Sequence, residues 1–126
     1  MKAKKPKKES KAKSEKREIT KKFKEWTEAV KERDGWTCQL CGLKKGDIKD
    51  NGKPVVLNAH HIIGRDNKEF PDMRFDVENG ITLCAGCHRF SKRGPHHGTF
   101  IFHEWLRRNF PSRYEYLTNV VFGVDK

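Results

Sequence analysis

Two Cys-x-x-Cys pairs constrain this chain more than any other feature of its sequence. Cys38 and Cys41 form the first pair, and Cys84 and Cys87 form the second. Each pair supplies two sulfur ligands from one tight turn, and together they complete the four-thiolate tetrahedron typical of structural zinc. Four buried free cysteines or a redox dithiol are the alternatives. Because four sulfurs leave no open position for substrate, we expect such a Zn²⁺ to stabilise the fold rather than to do chemistry.

Positive charge is concentrated at one end of the 126 residues. Residues 1–24 hold 12 Lys and Arg against 3 Glu, a net charge of +9, whereas the whole chain carries +11. Because residues 1–17 have no apolar periodicity, we predict a disordered basic tail there and one folded domain over residues 18–126. Such a tail either neutralises the phosphates of a nucleic acid or only solvates the chain.

The chain has no apolar run long enough to cross a bilayer, and its lysine-rich start does not have the pattern of a secretory signal. We therefore expect an intracellular protein with no membrane partner. Disulfides rarely persist in that reducing environment, which favours the zinc interpretation of the four cysteines.

Apolar periodicity and turn residues predict the order of the secondary-structure elements. The predicted elements are a helix over residues 18–33, strands over 54–62 and 80–84, a short helix over 85–93 and helices within 99–120. Ser112 and Glu115 have the spacing of a capping box. The polar residues 64–78 form a loop long enough to suggest a functional or mobile segment. The predicted core aromatics are Trp26, Trp36, Phe100, Phe102, Trp105 and Phe110.

Two adjacent histidines, His60 and His61, end the first predicted strand. Neighbouring residues of a strand point to opposite faces, so the two rings are expected to have different surroundings. Taken alone, each is more typical of a hydrogen-bonded structural side chain. Imidazole is also the side chain best suited to accept a proton at neutral pH, since its unperturbed pKa is about 6.5.

The order Cys-x2-Cys, Ala-His-His-Ile-Ile, Asn-Gly-Ile-Thr-Leu-Cys-x2-Cys-His resembles the HNH endonuclease family, specifically its zinc-stabilised members. The resemblance covers residues 33–93. It implies an α+β fold with a small ββα-metal (His-Me finger) core, a four-cysteine structural zinc and flanking helices. It also implies a metal-dependent endonuclease that hydrolyses phosphodiester bonds of DNA.

The same resemblance assigns roles to four residues. His60 would be the first ligand of a divalent cation, at a position where many members carry Asp, and His88 would be the second ligand. His61 would be the general base, facing away from the cation. Asn79 would belong to the catalytic set, either fixing the loop and the base by hydrogen bonds or approaching the metal.

Two neutral imidazoles suit borderline metals better than oxygen-loving Mg²⁺, whereas members with Asp in the first position tend towards Mg²⁺. We expect Mn²⁺ or Mg²⁺ as the catalytic ion, with Ni²⁺, Co²⁺ or Zn²⁺ as alternatives.

Further charged and titratable residues flank the motif. The charged residues are Arg65, Arg89, Lys92 and Arg93. Each of them is either a phosphate contact or a solvated surface charge. His96 and His97 are expected to be turn and capping residues, with one of them near the site as the alternative. His103 is expected to pack within a helix.

Two rival functions remain open from the sequence. One is a zinc-stabilised nucleic-acid-binding module without nuclease activity. The other is a structure-specific nuclease that assists viral DNA packaging with a partner such as a terminase. DNA is the expected partner in each case, the expected state is a monomer or weak dimer, and the resemblance suggests a bacterial or phage-infected cytoplasm.

Overall fold

The computed structural model describes residues 10–123, in which two strands and the helices around them form the fold. The strands pair antiparallel, with His60 opposite Ile81 and His61 opposite Gly80. The α+β prediction is confirmed, and strand, strand and helix follow one another in the ββα order. The elements are α1 (Lys11–Arg33), β1 (Leu57–His61), β2 (Gly80–Cys84), α2 (Ala85–Arg89), α3 (Thr99–Asn109) and α4 (Pro111–Phe122), with short 3-10 turns at Pro71–Phe75 and Val77–Asn79 between the strands.

Helix α1 begins earlier than its apolar periodicity predicts. It starts at Lys11 rather than Glu18, which corrects the expectation of disorder as far as residue 17; residues 1–9 of that predicted tail lie outside the described residues. The Ser10 side chain caps the helix by accepting a hydrogen bond from the Lys13 amide at 3.2 Å. Lys, Ala, Glu and Arg are strong helix formers. They extend a helix that is already nucleated, because its second half packs against the sheet.

The second half of α1 packs on one face of the sheet. Trp26 and Val30 are buried there. At the end of the helix, Arg33 donates 2.6 Å hydrogen bonds to the carbonyls of Val77 and Gly80. The Asp34 carboxylate follows, accepting from the Thr82 amide at 2.8 Å. These contacts fix α1 against the start of β2, and the predicted end of the helix at residue 33 is confirmed.

The main apolar core lies on the other face of the sheet, between β2 and α3. Its fully buried members are Ile81, Leu83, Phe102, Leu106 and Cys38. The core prediction holds for Trp26 and Phe102, but it is wrong for Phe100, whose side chain is 84% exposed on the outer side of α3. Trp36, Trp105 and Phe110 are partly buried.

Several element boundaries differ from the predicted ones. β1 is shorter than residues 54–62, and α2 ends at Arg89 rather than residue 93. The predicted capping box does not form in the described residues: α4 starts at Pro111, Phe110 occupies the cap position, and no side chain caps the helix. The loop of residues 64–78 is partly ordered by its two 3-10 turns. No helix within residues 10–123 is both long and apolar enough to span a membrane.

Candidate metal centres and active site

The four cysteines come together in one cluster at the end of β2. All four sulfur atoms lie within 4.8 Å of one another, and Sγ of Cys41 is 3.7 Å from Sγ of Cys84. Sulfurs on a tetrahedral Zn²⁺ at about 2.3 Å stand about 3.8 Å apart, so the cluster fits that ion. Cys41 is exposed, and the other three are buried.

Backbone hydrogen bonds hold the two cysteine turns together. The Gln39 amide donates to the Thr82 carbonyl at 3.0 Å, which attaches the first turn to β2.

Burial raises the pKa of the Cys41 thiol to about 11. At Cys38 burial also raises the pKa, but backbone hydrogen bonds outweigh it and the net shift is downward. A cation must therefore displace protons when it binds, and its affinity should fall as pH falls.

A second cluster joins three histidines from β1, α2 and the loop before α3. His60 Nδ1 lies 3.1 Å from His88 Nε2, which lies 3.0 Å from His96 Nε2. Ligand nitrogens at about 2.1 Å from one ion and at right angles to each other would be about 3.0 Å apart, so the three nitrogens fit a single cation. His96, expected mainly as a turn residue, thus lies in the site. His97 is not part of this cluster.

The electrostatics of this cluster favour neutral rings. Burial, together with the neighbouring His88 and His96, lowers the pKa of His60 to about 3. Burial also lowers the pKa of His88. Neutral imidazole is the form that binds metals, and three rings with nitrogens this close would repel each other if protonated.

Asn58 was missed by the sequence reasoning. It lies on β1 two residues before His60, and its amide Nδ2 is 3.4 Å from Nδ1 of His88. If Nε2 of His88 binds a metal, its hydrogen is on Nδ1. The Asn58 amide would then present its oxygen to that hydrogen, which requires the amide group to rotate by half a turn. The only sequence signal was the alternation that places residues 58 and 60 on one face of β1.

His61 faces the opposite side of β1, as the alternation predicted. Its ring stacks on Trp26, with centroids 3.8 Å apart and planes at 8°. Nε2 lies 2.9 Å from the Arg74 carbonyl, and because a carbonyl only accepts, Nε2 carries the hydrogen. Nδ1 therefore holds the free lone pair. Burial lowers the pKa of His61, although the hydrogen bond to Arg74 acts in the opposite direction. The lowered pKa favours the neutral ring.

Asn79 is fully buried and braces the loop between the strands. Its Oδ1 accepts from the Ile63 amide at 2.6 Å, and its Nδ2 donates to the carbonyls of Ile63 and Met73, each at 2.9 Å. All three partners are backbone groups of this loop, as a loop-fixing role would require. Because Met73 directly precedes Arg74, Asn79 braces the stretch of backbone whose carbonyl meets His61.

One open cavity of about 600 Å³ connects the two histidine environments. It is lined by His60, His61, His88 and His96, with Ala59, Gly64, Arg65 and Arg89. Of the four predicted phosphate contacts, Arg65 and Arg89 therefore line the site, whereas Lys92 and Arg93 do not. His103 is exposed on α3 rather than packed in the core.

Comparison of the sequence with known families gives a match over most of the residues that form this site. No curated protein and no solved structure matches the chain. The terminase partner therefore has no support from these comparisons and stays a prediction. Residues 38–94 match a family model described as HNH endonuclease. This range contains both cysteine pairs, His60, His61, Asn79 and His88. Residues 38–94, which hold the four cysteines, His60 and His88 while His96 lies just beyond them, thus match the HNH endonuclease family, and their strand, strand and helix fit its ββα-metal fold.

Proposed function

We propose that this protein is a metal-dependent endonuclease that hydrolyses phosphodiester bonds of DNA. The observation that carries the proposal is the shared cavity. On one side of it three imidazole nitrogens converge, and on the other side a fourth imidazole, that of His61, has its Nδ1 lone pair free. A module that only binds nucleic acid has no need of such an arrangement.

The cation ligands in this proposal are His60 Nδ1, His88 Nε2 and His96 Nε2. All three are uncharged, so a divalent ion held there would keep its full charge and would stabilise the negative charge that develops on the phosphate and the departing oxygen. Mn²⁺ fits this nitrogen set better than Mg²⁺, which prefers oxygen ligands. Zn²⁺ is the ion proposed for the four-cysteine cluster, where its role is structural.

His61 is the general base in this proposal. Water attacks phosphorus while Nδ1 of His61 takes its proton, the bond to the 3′ oxygen breaks, and that oxygen takes a proton from solvent. The products are 5′-phosphate and 3′-hydroxyl ends. The Arg74 carbonyl supports this role because it holds the hydrogen of the ring on Nε2 and leaves Nδ1 as the acceptor.

Two arginines support phosphate binding at the cavity. Arg65 and Arg89 line it, and within residues 10–123 the only ion pair of either side chain is that of Arg65 with the exposed Asp66, at 3.6 Å. A guanidinium presents several donors in a plane and suits phosphate oxygens. These side chains would bind phosphates next to the one that is cut.

The first half of α1 supports a longer contact with DNA. Residues 10–22 are exposed, and the helix meets the cavity wall at Phe23, whose ring lies 5.9 Å from His61 and 5.6 Å from the Arg65 guanidinium. Residues 10–24 hold seven Lys and Arg against two Glu. This charge would add affinity for the phosphate backbone without sequence preference.

A plasmid-nicking assay tests the function. Wild-type protein with Mn²⁺ should convert supercoiled DNA to nicked or linear DNA, and EDTA should stop the reaction. His61→Ala should abolish turnover while Mn²⁺ binding stays near normal. A wild-type protein that binds Mn²⁺ and DNA without cutting, or a His61→Ala variant that cuts at the wild-type rate, would refute the proposal; the first result would leave a nucleic-acid-binding module.

A further inference from the structure

We propose that Trp26 is a positioning residue for His61, an inference that rests on the proposed role of His61 as the general base. The sequence predicts only a core position for Trp26. Its burial agrees with that assignment, since only 3% of it is exposed. Its contacts go further, because the indole is the flat surface on which the imidazole of His61 lies.

The stack fixes the plane of the imidazole. The two rings are nearly parallel, at 8°, with centroids 3.8 Å apart. Phe23, one turn earlier on α1, meets the His61 ring edge-on at 5.9 Å and 88°. A ring bounded on one face by an indole and contacted edge-on by a phenyl group cannot tilt without losing contact with one of them.

One loop segment holds both rings of the stack. The Trp26 Nε1–H donates to the Asp76 carbonyl at 2.8 Å, and His61 Nε2–H donates to the Arg74 carbonyl at 2.9 Å. The two acceptors are two residues apart in the segment that Asn79 braces. Indole and imidazole are therefore aligned by the same backbone, and the hydrogen bond to His61 fixes the rotation that the stack leaves free.

Gly80 makes room for the stack. It lies opposite His61 in the register of the sheet. A Cβ at this position would lie 2.7 Å from Cζ2 of Trp26 and 2.4 Å from Cγ2 of Val30, both closer than side chains tolerate. The missing side chain lets α1 approach the sheet at the place where the base needs its support.

The orientation of the His61 ring matters for catalysis. A displacement of about 1 Å at a reacting group can lower the rate about 10²-fold, and general base catalysis as a whole contributes about 10² to 10⁴. The face of an indole also attracts the positive charge that the imidazole gains with the proton, which an aliphatic side chain of equal size does not do.

A matched pair of variants tests the inference. Trp26→Phe and Trp26→Met both delete the Nε1–H donor, but only phenylalanine keeps a flat ring under His61. We expect kcat for plasmid nicking at least about tenfold lower in Trp26→Met than in Trp26→Phe, with KM for DNA and Mn²⁺ affinity equal in the two. Leu117→Ala, which empties a buried position on α4, is the control for lost stability and should keep the wild-type kcat while folded. Equal kcat in folded Trp26→Phe and Trp26→Met would overturn the proposal.

NMR of the His61 side chain gives a readout independent of activity. Wild type and Trp26→Phe should show a single tautomer with hydrogen on Nε2, and ring protons shifted by the aromatic neighbour. In Trp26→Met the unsupported ring should tilt away from the Arg74 carbonyl and show a mixture of tautomers. If Trp26→Met does not fold, the wild-type and Trp26→Phe spectra decide, and unshifted ring protons in wild type would overturn the proposal. A protein with the predicted spectra but no nicking activity would refute the nuclease and leave the positioning contact intact.

Discussion

Nδ1 of His60 and Nε2 of His88 lie 3.1 Å apart although the two residues belong to different elements, β1 and α2. Without a cation, two neutral ring nitrogens at this distance gain at most one hydrogen bond, and the third nitrogen, from His96, is just as close to His88. The arrangement makes chemical sense around a shared ion.

His88→Ala should therefore lose the catalytic ion and keep the structural one. Because His88 is central to the cluster, its loss should weaken Mn²⁺ binding by more than the about 10- to 100-fold that is typical of an outer-shell change. Calorimetric titration with Mn²⁺ measures this. Zinc content is the control and should be unchanged, and wild-type Mn²⁺ affinity in the variant would exclude His88 as a ligand.

Cys84→Ser should lower stability and nicking activity together. The cysteine cluster joins the turn before β1 to the start of α2, so an ion lost there releases both the sheet and His88. A loss of about 3 kcal/mol would lower the Tm of a domain this size by about 12 °C. Thermal melting with a zinc assay tests the coupling. An unchanged Tm in a protein that has lost its zinc would contradict it.

Asn79→Ala should destabilise the protein and slow turnover without removing either metal. The substitution leaves the Ile63 amide and two carbonyls without their partner in a buried place, which costs about 2–4 kcal/mol. Denaturant unfolding gives the free energy. Asn79→Asp is the matched variant, because it keeps the acceptor for Ile63 but loses both donors. Wild-type stability in Asn79→Ala would show that the loop does not depend on this side chain.

Neutralising one flank of α1 should weaken DNA binding and its dependence on salt. Lys13, Lys16 and Lys24 share that flank by helical periodicity, and all are exposed. In the triple Lys→Gln variant, the slope of log K against log salt should fall by about 1–3, since each lost phosphate contact contributes about 0.9.

The control for this charge change is the triple Lys→Gln variant at Lys44, Lys49 and Lys53, which lie outside the cavity lining. KM should rise in the α1 variant while kcat stays the same. An equal effect of both triple variants would mean that only net charge matters, and α1 would have no special contact with DNA.

The sequence predicted the parts of the site that a local motif carries. The spacing of the cysteines predicted that both pairs meet in one cluster, and strand alternation correctly placed His60 and His61 on opposite faces. It gave His96 only as a possible near-site residue, with a turn or capping role preferred, because the loop after α2 folds back only through tertiary contacts. Asn58 and Trp26 were missed as partners of His88 and His61 for the same reason.

Two errors in the predicted fold have local causes. The start of α1 carries no apolar periodicity, so only its helix-forming residues and the Ser10 cap signalled it. At α4 the spacing of Ser112 and Glu115 suggested a cap, but Pro111 already occupies the first turn, where its missing amide hydrogen costs nothing.

Diffraction from crystals soaked in Mn²⁺, with data collected for its anomalous signal, tests the central claim most directly. We predict one anomalous peak bound by Nδ1 of His60 and Nε2 of both His88 and His96, with the His61 ring beside it and not bound to it. A peak bound by His61, or no peak among these histidines in a protein that nicks DNA, would contradict the account.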